Sequence, residues 1–228
     1  MFGYEVAEGI PIIDRFSLVF DTPGEYAYIC AIHEFHRGTV VVEPPAASDL
    51  PNQPQIDAQA REEMKFGLAI TEGIQQRMVE TDYITDKDPG PNGTSMYTVS
   101  AGMGPPDAEV LDFIPKNLTI KKGDTVTWVS SRFHTVVFNP GEPTPAFYLS
   151  EDQGAGRLPL LIASHTVLAP ARPSLEFNGT GFWSSGLMGH GQRPGGVSFT
   201  LTFTKPGRYH YKCPIHLGMV GTVTVEDE

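Results

Sequence analysis

The sequence lacks any long apolar run, and its first residues do not resemble an export signal. None of its apolar stretches approaches the about 20 consecutive residues that a membrane-spanning helix requires. The N-terminus also lacks the positively charged and apolar regions of a secretory signal peptide. We therefore predict a protein without a membrane span. Any export signal would be a segment that these 228 residues do not include.

Basic residues are also scarce, since 16 lysines and arginines stand against 27 aspartates and glutamates, for a net charge of -11. Residues 1–95 carry 16 acidic and 6 basic side chains, whereas residues 96–228 carry 11 acidic and 10 basic ones. This composition argues against nucleic acid as a partner, because phosphate binding needs clustered lysine and arginine. We interpret the acidic part as a solvated face, with steering of a basic protein partner as the alternative.

Cysteine is nearly absent, and the two that occur are Cys30 and Cys213. An even pair in a secreted protein first suggests a disulfide. Each cysteine, however, is followed three residues later by a histidine, His33 or His216. A thiolate and an imidazole at this spacing are metal-ligand types, so the pattern favours two ligand cysteines over one disulfide.

Glycine and proline are abundant, with 24 and 20 residues, which favours many short strands over long helices. From about residue 95 to residue 228 we predict strands near residues 96–101, 108–114, 117–121, 125–130, 134–138, 197–203, 207–213 and 219–226. Short strands separated by turn signals predict an all-β, Greek-key sandwich. Residues 139–182 form a proline-rich insertion, in which we expect the apolar run LPLLIA to be buried.

A repeat links the two ends of the chain. Residues 16–43 read FSLVFDTPGEYAYICAIHEFHRGTVVVE, and residues 199–226, at an offset of 183, read FTLTFTKPGRYHYKCPIHLGMVGTVTVE. Fifteen of the 28 aligned positions are identical. Both copies predict a strand, a Pro-Gly turn, a second strand, a loop that begins at the cysteine, and a last strand. The chain thus carries the ends of two copies of one domain.

The first copy has no beginning, because residues 1–45 match only the last part of the second copy. We predict strands at residues 16–21, 25–31 and 38–43. A fragment this short cannot bury enough apolar surface to fold alone. We therefore expect residues 1–45 to be completed by upstream polypeptide or by another subunit, or else to drive oligomer formation.

Residues 46–94 are interpreted as a linker that contains the one connecting helix, at about residues 57–80. Asp57 is the predicted N-cap. An i, i+4 row of apolar side chains predicts the buried face of the helix; the row consists of Phe66, Ile70, Ile74 and Met78. The complete domain then occupies residues 95–228.

The last loop of the complete domain carries Cys213, His216 and Met219 within seven residues. A thiolate, an imidazole and a thioether are ligand types of a blue copper site, which needs a second imidazole from elsewhere. His134 is the candidate, because it follows the GDTVTWV strand and opens the next one. The other histidines of this domain, His165, His190 and His210, are interpreted as structural or solvent-facing residues.

From about Met96 to Glu228 the sequence resembles the plastocyanin/azurin family of cupredoxins, with a ligand-loop spacing similar to that of amicyanin. The resemblance is carried by FIPKNLTIKKGDTVTWV, the single His134, FWSSG and PGRYHYKCPIHLGM. It implies a cupredoxin sandwich with one type 1 copper. It also implies that His134, Cys213 and His216 form the trigonal ligand set and that Met219 is the long axial ligand.

The matching loop of the first copy is incomplete as a copper site. Cys30 and His33 align with Cys213 and His216, but His36 stands in the place of Met219, and no counterpart of His134 precedes the loop. Three interpretations remain open: a remnant, a site completed by further residues of the same polypeptide, or a site completed by another subunit.

A closed type 1 site passes electrons, so we predict electron transfer between redox proteins, such as a cytochrome or a membrane electron-transfer complex, in an extracytoplasmic compartment (the periplasm or the cell surface). The alternatives are part of a multicopper oxidase or nitrite reductase, and a copper storage or delivery protein. The enzymes need a second copper centre, and the chain has seven histidines and no His-x-His pair. Storage sites favour clustered methionine, whereas the seven methionines here are scattered.

Overall fold

The computed structural model of this chain describes most of its residues. These are residues 16–30, 36–80, 87–105, 108–130, 132–151, 153–155, 157, 160–189 and 196–227. They fall into two compact units. The larger is built from residues 77–103 and 110–228, and the smaller from residues 12–76 and 104–109, insofar as these are described.

The larger unit consists mainly of strands, with two short helical segments. Its elements are β3 (Lys87–Pro89), a 3-10 turn (Pro91–Gly93), β4 (Ser95–Met103), β5 (Val110–Ile114), β6 (Asn117–Lys121), β7 (Thr125–Val129), β8 (Val137–Phe138), β9 (Tyr148–Glu151), β10 (Leu160–Ala163), α2 (His165–Leu168), β11 (Glu176–Phe177), β12 (Trp183–Ser184), β13 (Ser198–Phe203), β14 (Gly207–Lys212) and β15 (Val220–Glu226). The smaller unit contains β1 (Gly24–Ile29), β2 (Arg37–Val42) and most of α1 (Gln53–Glu80).

Two sheets make the sandwich of the larger unit. One has the strand order β11-β13-β7-β4-β3, with β5 also paired to β4, and the other has the order β12-β8-β14-β15-β6. Strand β15 is antiparallel to β14 and parallel to β6. The predicted all-β sandwich is confirmed for this unit. Strands β9 and β10 form a separate two-stranded sheet within the insertion.

The sandwich buries the alternating apolar face of its strands. In β13, Phe199, Leu201 and Phe203 point inwards, while Thr200 and Thr202 point to the other face. On that other face the hydroxyl of Thr200 bonds that of Thr127 across the sheet at 3.0 Å. The predicted period-2 pattern of this strand therefore matches its burial residue by residue.

An aromatic cluster fills the space between the sheets. The Trp128 ring, fully buried, lies 5.5 Å from that of Phe138 and 5.2 Å from that of Tyr211, both edge to face. Edge-to-face packing contributes about 0.5–1.5 kcal/mol per pair beyond area burial. Because Tyr211 lies on β14, which ends at Lys212, this cluster anchors the strand that leads directly into Cys213.

One strand prediction and one burial prediction in the larger unit need correction. The strand expected at 134–138 is a strand only at Val137–Phe138, and His134 instead makes an isolated bridge to Met188. The expected burial of the run LPLLIA is wrong for Leu160 and Ile162, whose side chains are 50% and 41% exposed. Residues Leu160–Ala163 form β10, which pairs only with β9 among the described strands.

The smaller unit contains the hairpin that the repeat predicts. Strands β1 and β2 pair in antiparallel fashion from Gly24↔Val42 to Ile29↔Arg37. Residues 16–21, however, are not a strand, contrary to the prediction. Their counterpart β13 lies between β7 and β11. A strand requires such partners, and alternation alone does not supply them.

The connecting helix is confirmed, but it begins four residues earlier than predicted. Asn52 is the actual cap: its Oδ1 accepts a bond from the Gln55 N–H at 3.1 Å, and the Gln55 Oε1 accepts one from the Asn52 N–H at 2.8 Å. Asp57, the predicted cap, lies inside the helix and accepts a bond from Gln53. Pro54 precedes the predicted start of the helix but lies in its first turn, where proline is tolerated.

The predicted buried row of α1 is confirmed for Ile74, which is buried, and in part for Ile70, which is half-buried. It is wrong for Phe66, which is 69% exposed, and the Met78 side chain lies outside the described residues. Among the described helices, none is both long enough and apolar enough to cross a membrane.

Candidate metal centre

The ligand loop, which we define as Cys213–Met219, is closed by its own backbone. The Cys213 N–H donates to the Met219 carbonyl at 3.0 Å, the Met219 N–H to the His216 carbonyl at 3.2 Å, and the His216 N–H to the Cys213 carbonyl at 3.2 Å. Gly218 has a φ of 81°, which permits the tight turn before Met219. The loop thus places a thiol and an imidazole side by side at the end of the sandwich.

His134 reaches the same point from the segment between β7 and β8. Its carbonyl accepts a hydrogen bond from the Met188 N–H at 2.8 Å, and its own N–H donates to the Arg132 carbonyl at 3.0 Å. The side chain is fully buried. The sequence prediction that His134 meets the ligand loop is therefore consistent with the structure, although a backbone bridge and not a strand holds it there.

The three donor atoms form a triangle with room for one metal ion. The His134 Nδ1 is 3.1 Å from the His216 Nδ1, and the Cys213 Sγ is 4.0 Å from the first and 3.6 Å from the second. A point equidistant from all three lies about 2.1 Å from each, within the about 2.0–2.3 Å of imidazole and thiolate bonds to a first-row metal such as zinc. The residues therefore fit a trigonal metal site.

The surroundings of Cys213 favour its thiolate form, whose sulfur accepts hydrogen bonds. The Thr135 N–H donates to the Sγ at 3.3 Å, and the Thr135 hydroxyl lies 3.6 Å from it. Burial raises the pKa of Cys213, but hydrogen bonds from His134 and His216 and their positive charge outweigh it and lower the pKa to about 5. The thiolate is the form that binds a metal.

Met219, the fourth predicted ligand, occupies the end of the ligand loop with its side chain fully buried. Within the described part of the chain, the one cluster of three or more potential metal-binding His, Cys, Asp or Glu side chains is His134, Cys213 and His216.

The remaining histidines that the structure describes are separate from this cluster. His210 is exposed on β14 and its Nδ1 is 3.0 Å from the Thr222 hydroxyl, and His165 is exposed at the start of α2. Both agree with the sequence interpretation. His190 and His33 lie outside the described residues.

Sequence reasoning missed some residues that shape the site. Thr135 donates a hydrogen bond to the sulfur and could have been identified from the sequence, because it directly follows the candidate ligand His134. Nothing in the sequence identifies Thr144–Phe147 as site residues. They line one side of a groove, and the ligand loop lines the other side together with Lys212 and Val220. We call this the site groove. The segment belongs to the irregular insertion, where no periodicity marks a contact.

A buried thiolate with two imidazoles, and a methionine in the same loop, is the ligand chemistry of a mononuclear blue copper protein. The comparisons with known proteins agree. Residues 184–226 match the family model for copper binding proteins of the plastocyanin/azurin family. The plastocyanin of Nostoc punctiforme is 33% identical over 138 residues, which cover 57% of this chain and 73% of that protein.

Solved structures with similarity to the chain include a methionine-to-alanine variant of amicyanin in its Cu(I) form, at 22% identity and a TM-score of 0.33. The match covers 57% of this chain and 80% of amicyanin. A mutant plastocyanin of fern is also 22% identical, with a TM-score of 0.31. That match covers 57% of this chain and 99% of the fern protein. The chain belongs to the plastocyanin/azurin family of cupredoxins, and the cluster of His134, Cys213 and His216 supports a type 1 copper site.

Proposed function

We propose that this protein carries single electrons through a type 1 copper held by His134, Cys213 and His216, with Met219 as the weak axial ligand. The observation that carries the proposal is the donor triangle, whose separations of 3.1, 3.6 and 4.0 Å suit one ion. The bound copper would supply a Cu(I)/Cu(II) couple. The residues supply a fixed geometry that both oxidation states tolerate.

Burial of the ligands favours electron transfer over catalysis. His134, Cys213 and His216 are 0%, 2% and 9% exposed. A catalytic copper needs an open coordination position for its substrate, whereas these donors converge from two directions and enclose the site. This is the basis for proposing a carrier instead of an oxidase, a nitrite reductase or a storage protein.

His216 is the proposed route for electrons, because it is the most exposed of the three ligands and borders the site groove. Leu217, next to it, is 50% exposed. With Pro214 and Gly218 it offers a small apolar surface, which suits the small interfaces of transient redox partners. We propose a cytochrome or a membrane electron-transfer complex as partner, met in the periplasm or at the cell surface.

We further propose a division into residues 1–45 as part of a first cupredoxin domain, 46–94 as a helical linker and 95–228 as the complete domain. The β1–β2 hairpin, with the register of β14–β15, supports this division. An additional subunit, or association of copies, would then complete the first part.

The test of carrier function is electrochemical. The copper-loaded chain should give a reversible one-electron wave and exchange electrons rapidly with a small redox protein. Leu217→Ala should slow the electron exchange with little change in the reduction potential. Leu175→Ala, at a side chain that is 56% exposed, is the control and should leave the exchange rate unchanged. Steady consumption of oxygen or nitrite by the purified chain would contradict the proposal.

A further inference from the structure

The segment that follows β12 binds the backbone on both sides of Thr135, the residue whose N–H donates to the sulfur of the metal centre. The Met188 N–H donates to the His134 carbonyl at 2.8 Å. On the other side of Thr135, the Ser185 N–H donates to the Val136 carbonyl at 3.0 Å. The Val136 N–H in turn donates to the Ser185 Oγ at 2.8 Å. Three hydrogen bonds to one segment therefore flank Thr135.

One of these three bonds depends on the identity of a side chain. The bonds from the Met188 and Ser185 N–H groups are made by the backbone, which any residue except proline supplies. The third bond needs the Ser185 hydroxyl. That hydroxyl donates to the Gly186 carbonyl at 2.7 Å, so its oxygen lone pairs are left to accept the Val136 N–H. Because Ser185 and Val136 are 3% and 0% exposed, an alanine at position 185 would leave a buried amide without this acceptor.

The segment that carries Ser185 is itself held from its other side by the insertion. The Ser184 N–H donates to the Ala171 carbonyl at 2.8 Å, and the Ala171 N–H donates to the Ser184 carbonyl at 2.9 Å. Gly186 has a φ of 68°, and a Cβ at this position would lie 2.6 Å from the Pro170 nitrogen. Ser185 is therefore a fixed point against which the neighbouring backbone is positioned.

The orientation of the backbone at Thr135 determines whether its N–H points at the sulfur. A peptide unit is planar, so the chain changes direction only by rotation about the bonds at each Cα. The sulfur accepts the N–H of the peptide unit before the Thr135 Cα, at 3.3 Å, and the Ser185 hydroxyl accepts the N–H of the unit after it. Loss of the bond to Ser185 frees the second unit to rotate. The bond from the first unit to the sulfur should then weaken.

We propose that Ser185 is a positioning residue of the metal centre, which aims the Thr135 N–H at the Cys213 sulfur and thereby raises the reduction potential. The inference rests on the proposed type 1 site. Hydrogen bonding around the cysteine sulfur tunes the potential of such a site. An N–H that donates to the sulfur withdraws negative charge from it. A less negative sulfur stabilises Cu(II) less, which favours Cu(I).

The experiment compares Ser185→Ala with Ser184→Ala in the full, copper-loaded chain. Ser184 is the matched control, because its hydroxyl is also buried and bonds the Val167 carbonyl and the Gly186 N–H, which both lie outside residues 134–136. Ser185→Ala should lower the reduction potential and move the charge-transfer band to longer wavelength. It should also weaken Cu(I) binding, measured against a chromophoric chelator, about 10–100-fold. Ser184→Ala should leave all three at their wild-type values.

Two further measurements separate positioning from a loss of stability. Ser185→Thr, which keeps the hydroxyl, should retain the wild-type potential and band. In the metal-free chain, the amides of Thr135 and Val136 should exchange their hydrogens faster in Ser185→Ala than in Ser184→Ala.

Equal potentials, bands and exchange rates in the two alanine variants would overturn the proposal, because Ser185 would then only satisfy a buried polar group. A folded Ser185→Thr chain with the potential of Ser185→Ala would overturn it too. A wild type that lacks the charge-transfer band would overturn the type 1 site and this proposal with it. A wild type that has the band, with two equal alanine variants, would overturn this proposal alone.

Discussion

At the scale of single residues, the side chains expected to bind copper differ in the hydrogen bonds and in the burial that fix their positions. His134 is fixed by two backbone hydrogen bonds and by complete burial. Cys213 is fixed by the Thr135 amide and by the end of β14. Met219 is buried too, but an axial thioether forms a long, weak bond. It follows that Met219 tunes the copper site more than it retains the metal.

Met219→Leu should therefore keep its copper and raise the reduction potential, because removal of a donor favours Cu(I) over Cu(II). Leucine conserves most of the buried volume, so stability should change by less than about 1.5 kcal/mol. Voltammetry and metal analysis measure the two effects. Met188→Leu is the matched control, since this methionine is equally buried and its contact with His134 is made by its backbone. Loss of copper from a folded Met219→Leu chain would contradict this order of ligand strength.

At the scale of elements, the burial of one face of a strand determines how much each apolar side chain contributes to the free energy of unfolding. Leu201 in β13 is fully buried between the sheets, while Leu160 in β10 is 50% exposed. Strand β13 belongs to one of the two sheets of the sandwich, whereas β10 belongs to the separate two-stranded sheet. The same leucine-to-alanine substitution should therefore lower the free energy of unfolding by very different amounts in the two strands.

Leu201→Ala should lower the free energy of unfolding of the sandwich by about 2–5 kcal/mol, through lost burial and the cavity left behind. Leu160→Ala should change it by about 0.5 kcal/mol or less, as surface substitutions do. Denaturant unfolding followed by tryptophan fluorescence compares the two variants, because Trp128 lies in the core beside Phe199. Equal destabilisation by both would show that the β9–β10 hairpin is covered in solution.

The elements that the sequence predicted well are those whose pattern is local. Strands β13, β14 and β15 agree with prediction to within one residue at each end, because alternation coincides with burial and turn residues bound each strand. The three donor residues of the copper site were also identifiable, since Cys213 and His216 share one loop and His134 follows a clear strand.

The elements that the sequence predicts poorly are those that depend on contacts with residues distant along the chain. Residues 16–21 alternate as β13 does, yet they pair with none of the described strands and do not form a strand themselves. The start of α1 depends on reciprocal bonds between Asn52 and Gln55, beside a proline that resembles linker sequence. The approach of Thr144–Phe147 to the ligand loop leaves no periodic trace in the sequence.

At the scale of the whole molecule, the smaller unit exposes an unusual amount of apolar surface. The exposed side chains include Phe16 at 81%, Leu18 at 64%, Val19 at 95% and Ile29 at 72%. Exposed apolar patches and short unpaired strands favour association with other chains. On this basis we keep the prediction that residues 1–45 are completed from outside their own hairpin.

The 228-residue chain should therefore associate in a concentration-dependent way, to species above its monomer mass of 24.9 kDa. Sedimentation velocity measures this directly. The double variant Leu18→Lys, Ile29→Lys should shift the chain towards monomer, because lysine opposes burial of the patch. Leu111→Lys, at a 48% exposed site in the larger unit, is the control and should not. A strict monomer whose β1 and β2 amides resist hydrogen exchange would contradict the prediction.

The most direct test of the central claim is the optical and electron paramagnetic resonance spectrum of the oxidised, copper-loaded chain with and without Cys213. A thiolate-bound copper in the His134–Cys213–His216 triangle predicts an intense visible charge-transfer band and the small copper hyperfine splitting of a type 1 site. Cys213→Ser should abolish both, since serine supplies no soft thiolate, whereas Cys30→Ser should leave both in place. A Cys213→Ser chain that retained the band and the splitting would contradict the account.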